Sequence, residues 1–285
     1  MPISKVGVVG CGLMGGGIAQ VVAQAGYATT VVEADQALLD RGLHGIQRSL
    51  DGLVDKGRMT AEQRTAARAR LAGTIRLEDL AGVDIVIEAI TENPAVKKDT
   101  FARLDRICPP HAILSSNTSS CTITELAAAT KRPAQVLGTH FFNPAPVMKL
   151  VEVIRTILTD DGAFSTAWSF IRSLGKTPIA AQDTTGFVVN RLLVPYLLEA
   201  VRLLESGVAS KEDIDQAMKL GCGYPMGPFT LLDLVGLDTT LYVAEVMFQE
   251  FREARFAPPP LLRRMVMAGH LGRKSGKGFY DHPAR

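Results

Sequence analysis

Apolar residues in the first half of the chain fall into short β-branched runs separated by longer stretches with helical spacing. Ile3–Val9 is one such run and ends in two glycines, and Ile18–Ala25 then spaces its apolar positions as a helix does. Thr29–Glu33, Asp84–Glu88, Ala112–Ser116 and Gln135–Thr139 repeat the strand signal, with polar helical segments such as Ala95–Ile107 between them. This alternation predicts βαβ units and a parallel sheet covered on both faces. Gln36–Leu71 is charged and rich in Ala, Arg and Leu, and reads as a helical pair broken near Gly57–Thr60 and standing off the sheet.

The pattern changes after Asp183. Phe187–Val208 reads as one amphipathic helix with Pro195 as a kink. Lys211–Leu220, a segment after Pro228 and one through Pro260–Ala268 continue the helical signal, and no strand signal returns. The expected organisation is an α/β domain over residues 1–183 with a mostly parallel sheet, then an all-α C-terminal domain over 184–285.

Composition narrows the function classes. A chain of 285 residues suits two domains and buries a core without metal or disulfide staples. Its 47% apolar and 21% charged residues are those of a globular protein, and a net charge of +2 points away from nucleic acid. Cys11, Cys108, Cys121 and Cys222 show no CxxC spacing and read as reduced thiols, with no metal site expected. Neither a signal peptide nor a bilayer-spanning run is recognised, so the expected location is the cytoplasm, without a membrane partner.

The first candidate chemistry is VGVVGCGLMGGGIAQ, which places Gly10, Gly12 and Gly15 as G-x-G-x-x-G between a strand and a helix. Such glycines allow a tight turn and a close approach of backbone to pyrophosphate, with the anion at the helix N-terminus. Leu13 and Met14 open that helix and count among the cofactor-binding positions. Glu33 ends the second strand, where a carboxylate accepts from a ribose 2′-hydroxyl and repels a 2′-phosphate. The N-terminal domain is therefore expected to be Rossmann-type and to bind NAD rather than NADP, with FAD as the alternative.

The second candidate is VLGTHFFNPAPVMKLVEVI, Val136–Ile154. Val136–Thr139 reads as a strand ending in His140, Asn143–Pro144–Ala145–Pro146 as a turn, and Met148–Ile154 as a returning strand. A reversal about Pro146 sets His140 opposite Glu152. Spacing alone leaves two readings open: an imidazole held by a carboxylate for proton transfer, or a structural ion pair at a sheet edge.

With GCGLMGGGIAQ, DIVIEAITEN, SSNTSS, GTHFFNPAPVMKLVEVI, GFVVNRLL, YPMGPFTLLDLVGLD and GRKSGKGFY in this order, the sequence resembles the short-chain 3-hydroxyacyl-CoA dehydrogenases along essentially its whole length. Its nearest likeness is to the 3-hydroxybutyryl-CoA dehydrogenases among them. The resemblance implies NAD-linked oxidation of an (S)-3-hydroxyacyl-CoA to a 3-oxoacyl-CoA, with His140 as general base and Glu152 as its orienting partner. It implies that Ser119 hydrogen-bonds the substrate oxygen and that Asn190 reaches the substrate from the helical domain. Glu92, Asn93 and Lys97 match positions along the nicotinamide and ribose side of the cleft, and Lys56 a lysine that contacts coenzyme A; Asn117 lies at the end of a strand, where cofactors sit in open parallel sheets. The helical domain resembles one that pairs two chains, so a homodimer is expected.

Bland readings stand beside these. Ser119 or Ser120 could be the cap of a helix over Thr122–Ala129, and Asn190 a structural amide. Lys56 is equally a solvated lysine, and His44, His111, His270 and His282 read as solvated. GRKSGKGFY reads as a packing segment, Arg191 as a domain-packing residue, Asp35 as a loop carboxylate and Cys121 as a small buried thiol. Thr185 stands where the family has Pro before Gly186, at the interdomain hinge. Alternative functions are the same chemistry on an acyl-carrier-protein-bound group, oxidation of a small free hydroxy acid, which would need an Arg clamp, and non-catalytic NAD binding.

Overall fold

The computed structural model describes residues 3–283. The chain divides into two compact units, 1–184 and 185–285. In the first, one eight-stranded sheet contains β1 (Lys5–Val9), β2 (Ala28–Val32), β3 (Leu71–Thr74), β4 (Ile85–Glu88), β5 (Ile113–Ser116), β6 (Val136–Phe141), β7 (Leu150–Arg155) and β8 (Thr177–Gln182). Their order is β3-β2-β1-β4-β5-β6-β7-β8. Neighbours are parallel except β6 and β7, which run antiparallel. The chain leaves β1 towards β2 and β3, then returns to β4 on the other side. The C-terminal ends of β1 and β4 therefore flank a topological switch point, where open α/β sheets bind ligands.

The helices of this unit are α1 (Leu13–Gln24), α2 (Gln36–Asp55), α3 (Ala61–Ala69), α4 (Pro94–Ile107), α5 (Ile123–Ala128) and α6 (Asp161–Ser173). All of β4, Ile-Val-Ile-Glu, is buried, as expected of a strand covered on both faces. Ile18 and Val22 of α1 join Val8, Val31 and Ile87 in one core cluster. The break in the helical pair falls where expected: Gly57 has φ +64°, and Thr60 and Gln63 form a capping box that restarts the helix. The pair does not stand clear of the sheet, however. Leu39, Ile46 and Leu50 are buried, and Leu39 and Leu43 lie over Gly73 of β3. Apolar residues on one helical face had to find a partner, and the sheet edge supplies it.

β3 and β8 had no recognisable signal. They are the two edge strands, Leu-Ala-Gly-Thr and Thr-Pro-Ile-Ala-Ala-Gln, and small residues and a proline are tolerated where one side is unpaired. α6 likewise emerges only in the structure, started by Asp160 accepting from Gly162 N and Ala163 N.

The second unit is helical: α7 (Val189–Glu205), α8 (Lys211–Cys222), α9 (Pro228–Val235), α10 (Leu237–Phe251) and α11 (Pro260–Met267). α7 starts two residues later than expected, because Gly186 and Phe187 both have left-handed backbone, and it then runs through Pro195 without a break. Leu198, Val201, Phe229, Leu232, Met247 and Phe256 are buried together. Arg191 stacks its guanidinium 3.6 Å from the Phe251 ring centroid, a packing role. GRKSGKGFY is also a packing segment: buried Asp233 accepts from Phe279 N at 2.8 Å and Tyr280 N at 2.9 Å. His282 is not solvated as expected; its Nε2 lies 2.8 Å from Asp233 Oδ2. Among the described residues, no helix is long and apolar enough to cross a membrane, and no cluster of His, Cys, Asp or Glu could hold a metal.

Candidate active site

The turn from β1 into α1 is shaped by its glycines. Gly10 has φ +94°, and a Cβ on Gly15 would lie 1.9 Å from the Gly10 carbonyl oxygen, so helix and strand pack this closely only without side chains. A Cβ on Gly12 would meet no protein atom within 4 Å. Beyond it the helix N-terminus is open to an anion. Leu13 begins α1 and is 76% exposed, whereas Met14 packs against the core. Glu33 follows β2, and its carboxylate accepts from Cys11 N at 2.7 Å and Ala34 N at 2.8 Å. It thus stands beside the glycine loop, where the ribose of a dinucleotide would lie. Burial and the neighbouring Glu33 charge push the Cys11 thiol up to about 11.

Further along the sheet, His140 pairs directly with Glu152 across the antiparallel β6–β7 ladder. Its Nδ1 lies 2.6 Å from Glu152 Oε2, and both residues are buried. The connection between these strands folds against α1, where a Cβ on Gly17 would come within 3.1 Å of Pro146. Lys176 Nζ holds it from the other side, donating to Ala145 O at 2.5 Å and Met148 O at 2.7 Å. Phe142 packs on the imidazole with centroids 4.7 Å apart.

Ser119, beyond the end of β5, brings its Oγ within 3.0 Å of His140 Nε2. A carboxylate at Nδ1 can only accept, so the hydrogen belongs on Nδ1; Nε2 of the neutral ring accepts, and Ser119 donates to it. The arrangement is a hydroxyl, an imidazole and a buried carboxylate in line. It can take a proton at Nε2 and hold the resulting imidazolium.

Ser119 is not a helix cap. Thr122 occupies the cap position of α5 without a side-chain bond, and Asp183 accepts from Ile123 N at 3.0 Å and Thr124 N at 2.6 Å. Ser119 N instead donates to Glu92 Oε1 at 3.0 Å, and Thr118 Oγ1 to Glu92 Oε2 at 2.6 Å. Cys121 is half-buried rather than enclosed; its thiol points at Glu92 Oε2, 3.6 Å away, and burial raises it above the ordinary thiol range. Asn117 is held by Phe141 N donating to its Oδ1 at 2.8 Å.

The chain as a whole is similar to known proteins. The 3-hydroxyacyl-CoA dehydrogenase NAD binding domain matches residues 5–184, and the C-terminal domain of the same enzymes matches residues 186–282. The chain belongs to the 3-hydroxyacyl-CoA dehydrogenase family. It is 51% identical to a Mycobacterium tuberculosis 3-hydroxybutyryl-CoA dehydrogenase, covering 98% of this chain and 99% of the relative. It is 46% identical to the human mitochondrial hydroxyacyl-coenzyme A dehydrogenase, over 98% of this chain and 91% of that one. The crystal structure of (S)-3-hydroxybutyryl-CoA dehydrogenase PaaH1 from Ralstonia eutropha superposes with a TM-score of 0.95 at 45% identity, covering 99% of this chain and 100% of that one.

In this dehydrogenase Lys97 is less open to a ligand than its sequence position suggested. It is 1% exposed, with Nζ 2.7 Å from Glu88 Oε1 and 3.6 Å from Glu92 Oε2. Asn93 is the N-cap of α4, accepting from Ala95 N and Val96 N. Lys56 is exposed at the C-cap of α2, where a cation also suits the helix dipole. Asn190 stands in the first turn of α7 in the second unit and is half-buried. Sequence reasoning passed over Glu88, Asp183 and Lys176. The signal for Glu88 was present: a carboxylate closing the otherwise apolar run Ile-Val-Ile.

Proposed function

We propose that this dehydrogenase oxidises (S)-3-hydroxyacyl-CoA, 3-hydroxybutyryl-CoA among its substrates, reversibly to the 3-oxoacyl-CoA, with His140 as the general base. The observation that carries the reading is the line Ser119 Oγ, His140 Nε2, His140 Nδ1, Glu152 Oε2, with contacts of 3.0 and 2.6 Å at its ends. His140 Nε2 takes the proton of the C3 hydroxyl, and the Glu152 carboxylate supports the imidazolium. Ser119 Oγ hydrogen-bonds the same substrate oxygen, and Asn190 adds an amide donor to the substrate. NAD, when bound, supplies the hydride acceptor at C3.

Cofactor contacts in this reading come from the Gly10–Gly15 loop with Leu13 and Met14, from Glu33 at the ribose, and from Glu92, Asn93, Lys97 and Asn117 along the nicotinamide side. Lys56 serves the phosphates of coenzyme A. Relatives named for CoA substrates favour a CoA donor over a carrier protein. Stacking of Arg191 on Phe251 supports a packing role for it over that of a free-carboxylate clamp. The four free thiols suit a reducing compartment, on which ground we place the protein in the cytoplasm. Exposed Leu192, at 72%, and Leu220, at 75%, support a homodimer through the helical unit.

The test is NADH consumption with acetoacetyl-CoA, beside NADPH and with His140→Gln as control. Turnover with NADH that disappears in His140→Gln supports the reading. NADH binding without turnover overturns the CoA substrate, and a fully active His140→Gln overturns the assignment of the base.

A further inference from the structure

Glu88 closes β4 with 0% exposure. Three hydrogen bonds hold it: Lys97 Nζ and Ile90 N each donate to Oε1 at 2.7 Å, and Ser116 Oγ donates to Oε2 at 2.6 Å. The other residues of this strand, Ile85, Val86 and Ile87, are apolar, as a strand buried on both faces requires. A buried Glu–Lys pair is rarely the most stable filling for such a place, because desolvating both ions offsets much of their attraction. It lies, moreover, at the C-terminal ends of parallel strands, where function concentrates in open α/β sheets.

Two strings of bonds lead from Glu88 to Ser119. In the first, Ser116 Oγ donates to Glu88 and accepts from Thr118 N at 3.1 Å. In the second, Lys97 Nζ stands between Glu88 and Glu92, 2.7 and 3.6 Å away, and Glu92 accepts from Thr118 Oγ1 and Ser119 N. The first ends on the backbone N–H of Thr118, the second on the Thr118 hydroxyl and the backbone N–H of Ser119, whose own hydroxyl lies 3.0 Å from His140 Nε2. We infer that Glu88 is a positioning residue for the dehydrogenase reaction, holding Ser119 against His140 through Ser116 on one side and through Lys97 and Glu92 on the other. Removing its charge leaves Glu92 as the carboxylate nearest the Lys97 ammonium. Glu92 is then drawn towards Lys97 and away from the Thr118 and Ser119 donors. A shift of this kind displaces the serine although Glu88 itself lies behind Lys97 and Ser116 and is fully buried.

The inference rests on the functional reading above for its kinetic arm only. In Glu88→Gln the kcat for acetoacetyl-CoA reduction, measured at saturating NADH, is expected to fall about tenfold. Because Glu88 acts through Ser119, Glu88→Gln in a Ser119→Ala background should cost little more, whereas independent losses would multiply. Multiplying losses, or an unchanged kcat, overturn the proposal. If Glu88→Gln does not fold, Ser116→Ala cuts one string only and is read in the same cycle. The second arm needs no turnover: the ¹⁵N resonance of His140 Nε2 in the ligand-free protein should move in Glu88→Gln and stay in place in Glu78→Gln, an exposed control. An unmoved resonance overturns the proposal. If the wild type does not turn over acetoacetyl-CoA, the functional reading fails and the resonance alone decides the role of Glu88.

Discussion

His140 and Glu152 are direct cross-strand partners, and the carboxylate oxygen lies 2.6 Å from the imidazole Nδ1. One strand pairing therefore fixes both the tautomer and the direction in which Nε2 faces. Glu152→Gln keeps the size of the side chain and removes the charge. Its amide can also present a donor to Nδ1, which favours the wrong tautomer. The kcat for ketone reduction should fall by about ten-thousandfold, as for comparable losses of a His-orienting carboxylate, with NADH affinity retained. Steady-state kinetics beside NADH fluorescence titration would separate the two. A loss below about tenfold would return the pair to a structural role.

Glu33 sets the cofactor preference in the same reading. Cys11 N and Ala34 N donate to different oxygens of Glu33, so Glu33→Gln keeps an acceptor for only one of them, and it no longer repels a 2′-phosphate. The ratio of kcat/KM for NADPH to that for NADH should rise about tenfold, or about 1.4 kcal/mol. An unchanged ratio measured with both cofactors would place the discrimination elsewhere.

The four thiols should react in order of burial. Cys222 is exposed, Cys121 half-buried and raised by burial, and Cys11 and Cys108 are buried and pushed up to about 11. Iodoacetamide labelling at pH 7.5, followed by peptide mass spectrometry, should modify Cys222 first and leave Cys11 and Cys108 until the protein unfolds. Early labelling of Cys11 would mean that the glycine loop opens readily.

Asp84 ties the start of β1 to the turn before β4. Burial raises its carboxyl, but donation from Lys5 N, from Ser4 N and Oγ, and from His111 outweighs this, so the folded value is below the ordinary one. A carboxylate lowered on folding contributes stability that is fully present above its unfolded pKa, about 3.9, and is lost as pH falls through the folded value. Asp84→Asn should therefore cost about 1–2 kcal/mol near neutrality. That difference should shrink as pH is lowered from about 5 towards 3. Urea midpoints of both proteins across that range would show it; a pH-independent difference would mean that Asp84 contributes shape rather than charge.

Local pattern made much of this protein legible. Strand and helix periods located the alternating elements, the glycine spacing marked the turn after β1, and a proline-rich reversal between two strands was enough to set His140 opposite Glu152. Each of these depends on residues close along the chain, where backbone stereochemistry and side-chain alternation act directly. Pairings across long separations came from the three-dimensional fold. Asp183, rather than Ser119, caps α5 from about sixty residues away. Lys176 pins the β6–β7 connection, Lys97 turns inward to Glu88, and β3 and β8 become strands because the sheet offers them an edge. A buried polar group takes whichever partner folding delivers to it, and sequence spacing carries no record of that partner.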